Sequence, residues 1–115
     1  MKGGDFMAIY RGYRYQASGP LIATKDGAVL SPAPSQQLYN HSPDGFQWGY
    51  EGSGPAQLAL ALLLDATGDP ELSVRLHQDF KRDFVARWDE RWEITTEQIR
   101  SWVNKRRAAC ISGNG

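Results

Sequence analysis

From Ala56 to Leu64 the chain reads Ala-Gln-Leu-Ala-Leu-Ala-Leu-Leu-Leu, directly after the elbow Gly52-Ser53-Gly54-Pro55. Alanine and leucine are the strongest helix formers, and a proline fits the first turn, where its missing N–H is not needed. Gly68 stands where a left-handed C-terminal cap belongs, with Pro70 two residues on. A helix that is apolar on nearly every side has no face to turn to water, so the rest of the chain must surround it. The run Leu58 to Leu64 is far too short to cross a bilayer. With 115 residues in all, these constraints point to one domain built around this helix.

Before the elbow the sequence reads as strands and turns. Residues 1–6 form a flexible leader, and strand character runs from Phe6 to about Gln16. Ile9, Arg11, Tyr13 and Tyr15 alternate with Ala8, Tyr10, Gly12 and Arg14, which makes two faces that each mix aromatics with one arginine. Ser18-Gly19-Pro20 turns the chain, Leu21 to Thr24 pairs back, and Lys25-Asp26-Gly27 predicts a hairpin into Ala28-Val29-Leu30, because an Asp-Gly pair accepts positive φ. Pro32 and Pro34 make Ser31 to Ser35 irregular or an edge. A short strand over Leu38 to His41, a turn at Ser42-Pro43-Asp44-Gly45 and a last strand over Phe46 to Tyr50 complete a sheet of three to five antiparallel strands.

After Gly68 the signals are helical. Asp69-Pro70-Glu71 supplies a cap, a first-turn proline and a first-turn acid. Leu72, Leu76, Phe80, Phe84, Trp88 and Trp92 then recur every four residues. Each such step drifts by roughly 40°, so the stripe turns by about 200° and cannot face one straight wall. Either the helix ends near Trp88 or its two ends pack on different partners. Phe80 and Phe84 are expected in the core, with Trp88 and Trp92 elsewhere, and Asp83 and Arg87 are spaced for an ion pair. Thr95 and Gln98 form a capping box for a third helix, with Ile94 and Ile99 as its staple. The fold class is α+β, a small sheet packed against three helices, over residues 7–107 with a flexible tail over 108–115.

Lysine plus arginine equals aspartate plus glutamate at 13 each, which argues against a protein that coats nucleic acid electrostatically and against an acidic nucleic-acid mimic. Cys110 is the only cysteine, so no internal disulfide forms, and the N-terminus has no signal-peptide run; a cytoplasmic location is expected. No residue set predicts catalysis, a cofactor or a metal. The Gly49–Pro55 elbow lacks the Lys-Ser/Thr pair of a P-loop and the spacing of a dinucleotide fingerprint, so it reads as a tight join to the buried helix in which Gly52 or Gly54 holds a conformation that a side chain would strain. His41 and His77 lack the spacing of a metal site. Gly3-Gly4-Asp5-Phe6 spells a diguanylate-cyclase motif, but in a chain too short for that fold.

Partner binding has better candidates. Tyr10, Arg11, Tyr13, Arg14 and Tyr15 on the first strand, and Trp88, Arg91 and Trp92 after the second helix, are aromatic and arginine residues of the kind that dominates interface energy. Arg100, Lys105, Arg106 and Arg107 form a basic region that would serve the alternative of nucleic-acid contact.

Three segments together resemble one family: Ile9-Tyr10-Arg11-Gly12, the stretch from Ser42-Pro43-Asp44-Gly45 through Phe46-Gln47-Trp48-Gly49-Tyr50 to Leu58-Ala59, and Phe80-Lys81-Arg82-Asp83-Phe84-Val85. The chain is similar, over about Met7 to Val103, to a family of small proteins of unknown function found in phages, prophages, plasmids and other mobile elements. That resemblance carries no catalytic residues over. It implies a protein that binds and inhibits or modulates a host complex, as anti-CRISPR proteins do against bacterial defence.

Overall fold

The structure, a computed structural model, describes residues 7–112, with side chains as far as residue 108. Four strands and four α-helices follow in the order β1 (Ile9–Arg14), β2 (Leu21–Lys25), β3 (Ala28–Val29), α1 (Ala33–Leu38), α2 (Ser53–Thr67), α3 (Pro70–Asp83), a 3-10 turn (Val85–Arg87), β4 (Trp92–Thr95) and α4 (Thr96–Ser112). The sheet is antiparallel throughout, in the order β3-β2-β1-β4. The α+β class holds, but the fourth strand comes from the C-terminal half.

Helix α2 is the centre. Leu58, Leu60, Leu62 and Leu63 are each fully buried, which only a helix covered on all sides allows. It touches α1, α3 and α4, and it shares one apolar core with Tyr10 and Ala23 of the sheet and Trp92 and Ile94 of β4. Its end is the expected one: Gly68 has φ 68°, and its N–H donates to the Leu64 carbonyl at 2.8 Å. The Asp69 side chain then accepts from the Leu72 N–H at 3.1 Å and starts α3. The hairpin is also as read, with Asp26 at φ 51° and Gly27 at φ 89° between β2 and β3.

Several expectations are corrected. Residues 46–50 are not a strand: Gly45 and Gly49 take φ of 111° and 89°, which breaks the extended run, and the edge beside β1 is filled by Trp92–Thr95. Residues 38–41 are not a strand either, since Pro32 and Pro34 open α1 as helix-start prolines rather than blocking it. The second long helix stops at Asp83, so the drifting stripe is broken up: Leu72, Leu76 and Phe80 stay on α3, Phe84 caps it half-buried, and Trp92 moves onto a strand. Asp83 and Arg87 therefore form no ion pair; Asp83 accepts from the Trp102 indole at 2.8 Å, and Arg87 donates to the Arg82 carbonyl at 3.1 Å. The capping box is present, with Gln98 N–H donating to Thr95 Oγ1 at 3.1 Å and the Thr95 N–H donating to Gln98 Oε1 at 2.9 Å. Helix α4 runs on to Ser112, past the expected domain end at Arg107. The leader, residues 1–6, lies outside the described residues. Among the described residues, no helix is long and apolar enough to cross a membrane.

At the elbow, space rather than backbone angle demands glycine. Gly52 is extended at φ 178°, but a Cβ there would come within 2.5 Å of the Tyr50 ring, and one at Gly54 within 2.7 Å of the Gln47 side chain.

Candidate functional site

The register of β1 sorts the predicted partner residues between two faces. Tyr10 lies opposite Ile94 and Lys25, and Gly12 opposite Trp92 and Ala23, all on the side of α2. Side chains alternate along a strand, so Ile9, Arg11 and Tyr13 point the other way. A cross-strand row on that outer face runs Glu93, Arg11, Thr24, Val29. Beside it lie the pairs Ile9 with Thr95 and Tyr13 with Ile22. Arg11 and Glu93 form an exposed ion pair at 2.9 Å, and Val29 is 75% exposed.

The inner-face candidates are engaged in the fold. Tyr10 is 1% exposed, and its hydroxyl donates to Asp65 Oδ2 at 2.6 Å, the same oxygen that Lys25 Nζ meets at 2.9 Å. Burial, and then Asp65, push the phenol well above its ordinary pKa, so it stays protonated as a tie between sheet and α2. These groups line a cleft of about 500 Å³ with Arg100 and Thr96 at the end of α2. Arg14 donates to the Gly19 carbonyl at 3.0 Å and pairs with Glu90 at 3.3 Å. Trp92 is 7% exposed, lies over Gly12, stacks on Trp88 at 4.1 Å and meets Trp48 edge-on at 5.4 Å. Burial thus removes Tyr10 and Trp92 from any docking face. Trp88 is half-buried, and Arg91 and Tyr15 are exposed.

The basic region is largely internal to the fold. Arg100 donates to the Ala66 carbonyl at 2.8 Å, one of the last-turn carbonyls of α2 that need a donor. Arg106 bonds Asp79 at 3.0 Å and lies over the Trp102 ring at 5.5 Å. Burial opposes ionisation of Asp79, but Arg106 and then Arg82 outweigh it and hold that carboxyl below its ordinary value. Lys105 and Arg107 are exposed.

Sequence spacing did not link His41 and His77, which the fold brings together: their Nε2 atoms are 2.8 Å apart. His77 sits on α3, 4% exposed, with Nδ1 2.6 Å from the Val74 carbonyl. A carbonyl only accepts, so Nδ1 carries the proton, the Nε2 of His77 is a lone pair, and His41 donates to it through Nε2–H. Burial first, and then neighbouring charge including Lys81, lowers the pKa of His41; burial and Lys81 also lower that of His77, against carbonyl bonds that raise it. The Tyr39 ring stacks on His41 at 4.2 Å.

What delivers His41 is Gln57, wholly buried on α2. Its Oε1 accepts from the backbone N–H of His41 at 2.8 Å and of Ser42 at 2.9 Å; its Nε2 donates to Ser35 Oγ at 2.9 Å and to the Tyr39 carbonyl at 3.1 Å. A lone glutamine inside the leucine helix was the signal that such a tie exists. Among the described residues there is no cluster of three or more metal-ligating side chains.

A family model, described as a family of unknown function (DUF6166), matches residues 10–105, and the chain belongs to that family. No curated protein and no solved structure matches it.

Proposed function

We propose that the chain is a non-enzymatic binding protein of a phage or mobile element, which docks on a host protein complex, such as a defence nuclease, through the outer face of its sheet. The observation that carries this reading is the row Glu93, Arg11, Thr24, Val29 with Ile9, Tyr13 and Ile22 beside it. Helices pack on the other side; Thr24 is buried within the row, while Arg11, Glu93 and Val29 are exposed and Ile9, Tyr13 and Ile22 partly so, leaving apolar, aromatic and arginine surface to a partner. Such a mixture is what the centre of a protein interface is made of.

Charge favours a protein partner. Arg11 is matched by Glu93 on the same face, so the surface offers no excess of cations to a phosphate backbone. Arg100 and Arg106, which the nucleic-acid alternative needs, are spent on Ala66 and Asp79.

The test is affinity capture from host lysate with three forms of the whole chain: wild type, the outer-face pair Arg11→Ala with Tyr13→Ala, and the inner-face Arg14→Ala. A protein held by wild type and Arg14→Ala but lost by the outer-face pair supports the reading. Equal retention by all three removes the sheet face. Capture that collapses with salt and nuclease treatment moves the function to nucleic acid.

A further inference from the structure

The imidazole pair makes a second site, independent of the sheet face. We propose that His41 and His77 together bind a divalent transition-metal cation of the copper, nickel and zinc group through their two Nε2 atoms, with the remaining coordination positions open to water or to a donor from a partner molecule.

Four observations carry this. First, the donors converge, with the two Nε2 atoms 2.8 Å apart and the ring centroids 4.9 Å apart. With metal–nitrogen bonds of about 2.0 Å, two ligands at a right angle are about 2.8 Å apart, against about 3.3 Å in a tetrahedron. Rings that pivot can therefore reach one ion without the loop leaving the helix, and imidazole donors suit Cu²⁺, Ni²⁺ and Zn²⁺ alike. Second, His77 already has the orientation of a metal ligand, its Nδ1–H donating to the Val74 carbonyl at 2.6 Å and leaving Nε2 as the donor atom.

Third, the proton balance is simple. His41 must free its Nε2, and its proton moves to Nδ1, a change of tautomer that leaves the ring neutral and releases no net proton. Lys81, the cation near both rings, is paired with Glu51 at 3.2 Å, which offsets its repulsion. Fourth, the site is built rather than incidental. Gln57 fixes the backbone of His41 with a bond of 2.8 Å, and Tyr39 stacks on its ring at 4.2 Å, so little ordering remains to be done on binding.

The experiment is calorimetric titration of the whole chain with Ni²⁺ and with Zn²⁺ at pH 7.5, in a Cys110→Ser background so that the thiol takes no part. One ion per chain is expected, with binding weakened at least tenfold by His41→Ala and by His77→Ala. His41 lies in a loop, so His41→Ala remains folded even if His77→Ala does not. Circular dichroism checks both, and Ni²⁺ should raise the Tm of the parent but not of His41→Ala. No binding by the parent at millimolar Ni²⁺, or binding by folded His41→Ala within twofold of the parent, overturns the assignment.

Discussion

Replacing Gln57 by leucine tests how the histidine site is held. The side chain is fully buried and uses both lone-pair directions of its oxygen and both of its N–H groups, at 2.8, 2.9, 2.9 and 3.1 Å. A net hydrogen bond is worth about 1 kcal/mol, so four amount to about 4 kcal/mol. Two effects reduce that: the His41 N–H keeps a 3.1 Å contact to the Tyr39 carbonyl, and the freed loop can turn its polar groups to water. A leucine also gains apolar burial in the same space. The expected net loss is about 2–3 kcal/mol in urea denaturation, with release of the segment carrying Tyr39, His41 and Ser42. Fluorescence from a probe at Asn40 and the NMR signals of the two imidazoles would report that release. Gln57→Glu should be worse, because its second oxygen would face the Tyr39 carbonyl. A Gln57→Leu variant within about 0.5 kcal/mol of wild type, with the imidazoles still paired, would refute the reasoning, since that is the range of a neutral surface change.

Gly12→Ala should destabilise strongly, by about 3 kcal/mol or more, because the new Cβ would lie 2.0 Å from the Trp92 indole nitrogen, and overpacking by one methyl already costs about 1–3 kcal/mol; tryptophan fluorescence during denaturation would show it. Thr95→Ala removes the acceptor of the Gln98 N–H and should cost about 0.5–2 kcal/mol, read as a lower denaturation midpoint. In metal-free protein with chelator present, both histidines have folded pKa values below the ordinary 6.5, so the unfolded chain binds more protons. Stability should then be full above about pH 6.5 and fall as pH drops below it, with His77 alone contributing a slope of up to about 1.4 kcal/mol per pH unit. Asp79 acts lower, below its ordinary 3.8, and a flat profile between pH 7.5 and 5.5 would contradict the pairing.

Much of the architecture was legible because local chemistry and tertiary packing agree there. Leu58 to Leu63, Gly68, Asp69 to Pro70, Asp26-Gly27 and Thr95 to Gln98 each state a local rule that the fold obeys. The misread segments are those where two rules competed. Trp92 fits both the four-residue helical spacing and the alternating strand Trp92-Glu93-Ile94-Thr95, and pairing with β1 decided for the strand. Phe46, Trp48 and Tyr50 alternate like a strand, but Trp48 instead sends its indole N–H to the Asp89 carbonyl at 2.7 Å, across 41 residues. On the first strand, alternation separated Arg11 and Tyr13 from Tyr10 and Arg14, but which face was free depended on where β4 and α2 lay. The histidine pair was hidden because its members are 36 residues apart, and their meeting depends on one buried glutamine.

The central claim, that the outer sheet face is the docking surface, is tested most directly by site-specific photo-crosslinking in host cells. A crosslinker is placed at Val29, 75% exposed on that face, and in a parallel chain at Arg75, exposed on α3 away from the sheet. The account predicts a discrete host-protein adduct from position 29 that Arg11→Ala with Tyr13→Ala abolishes, and none from position 75. An adduct from position 75 alone, or only a second copy of this chain captured at position 29, would contradict it.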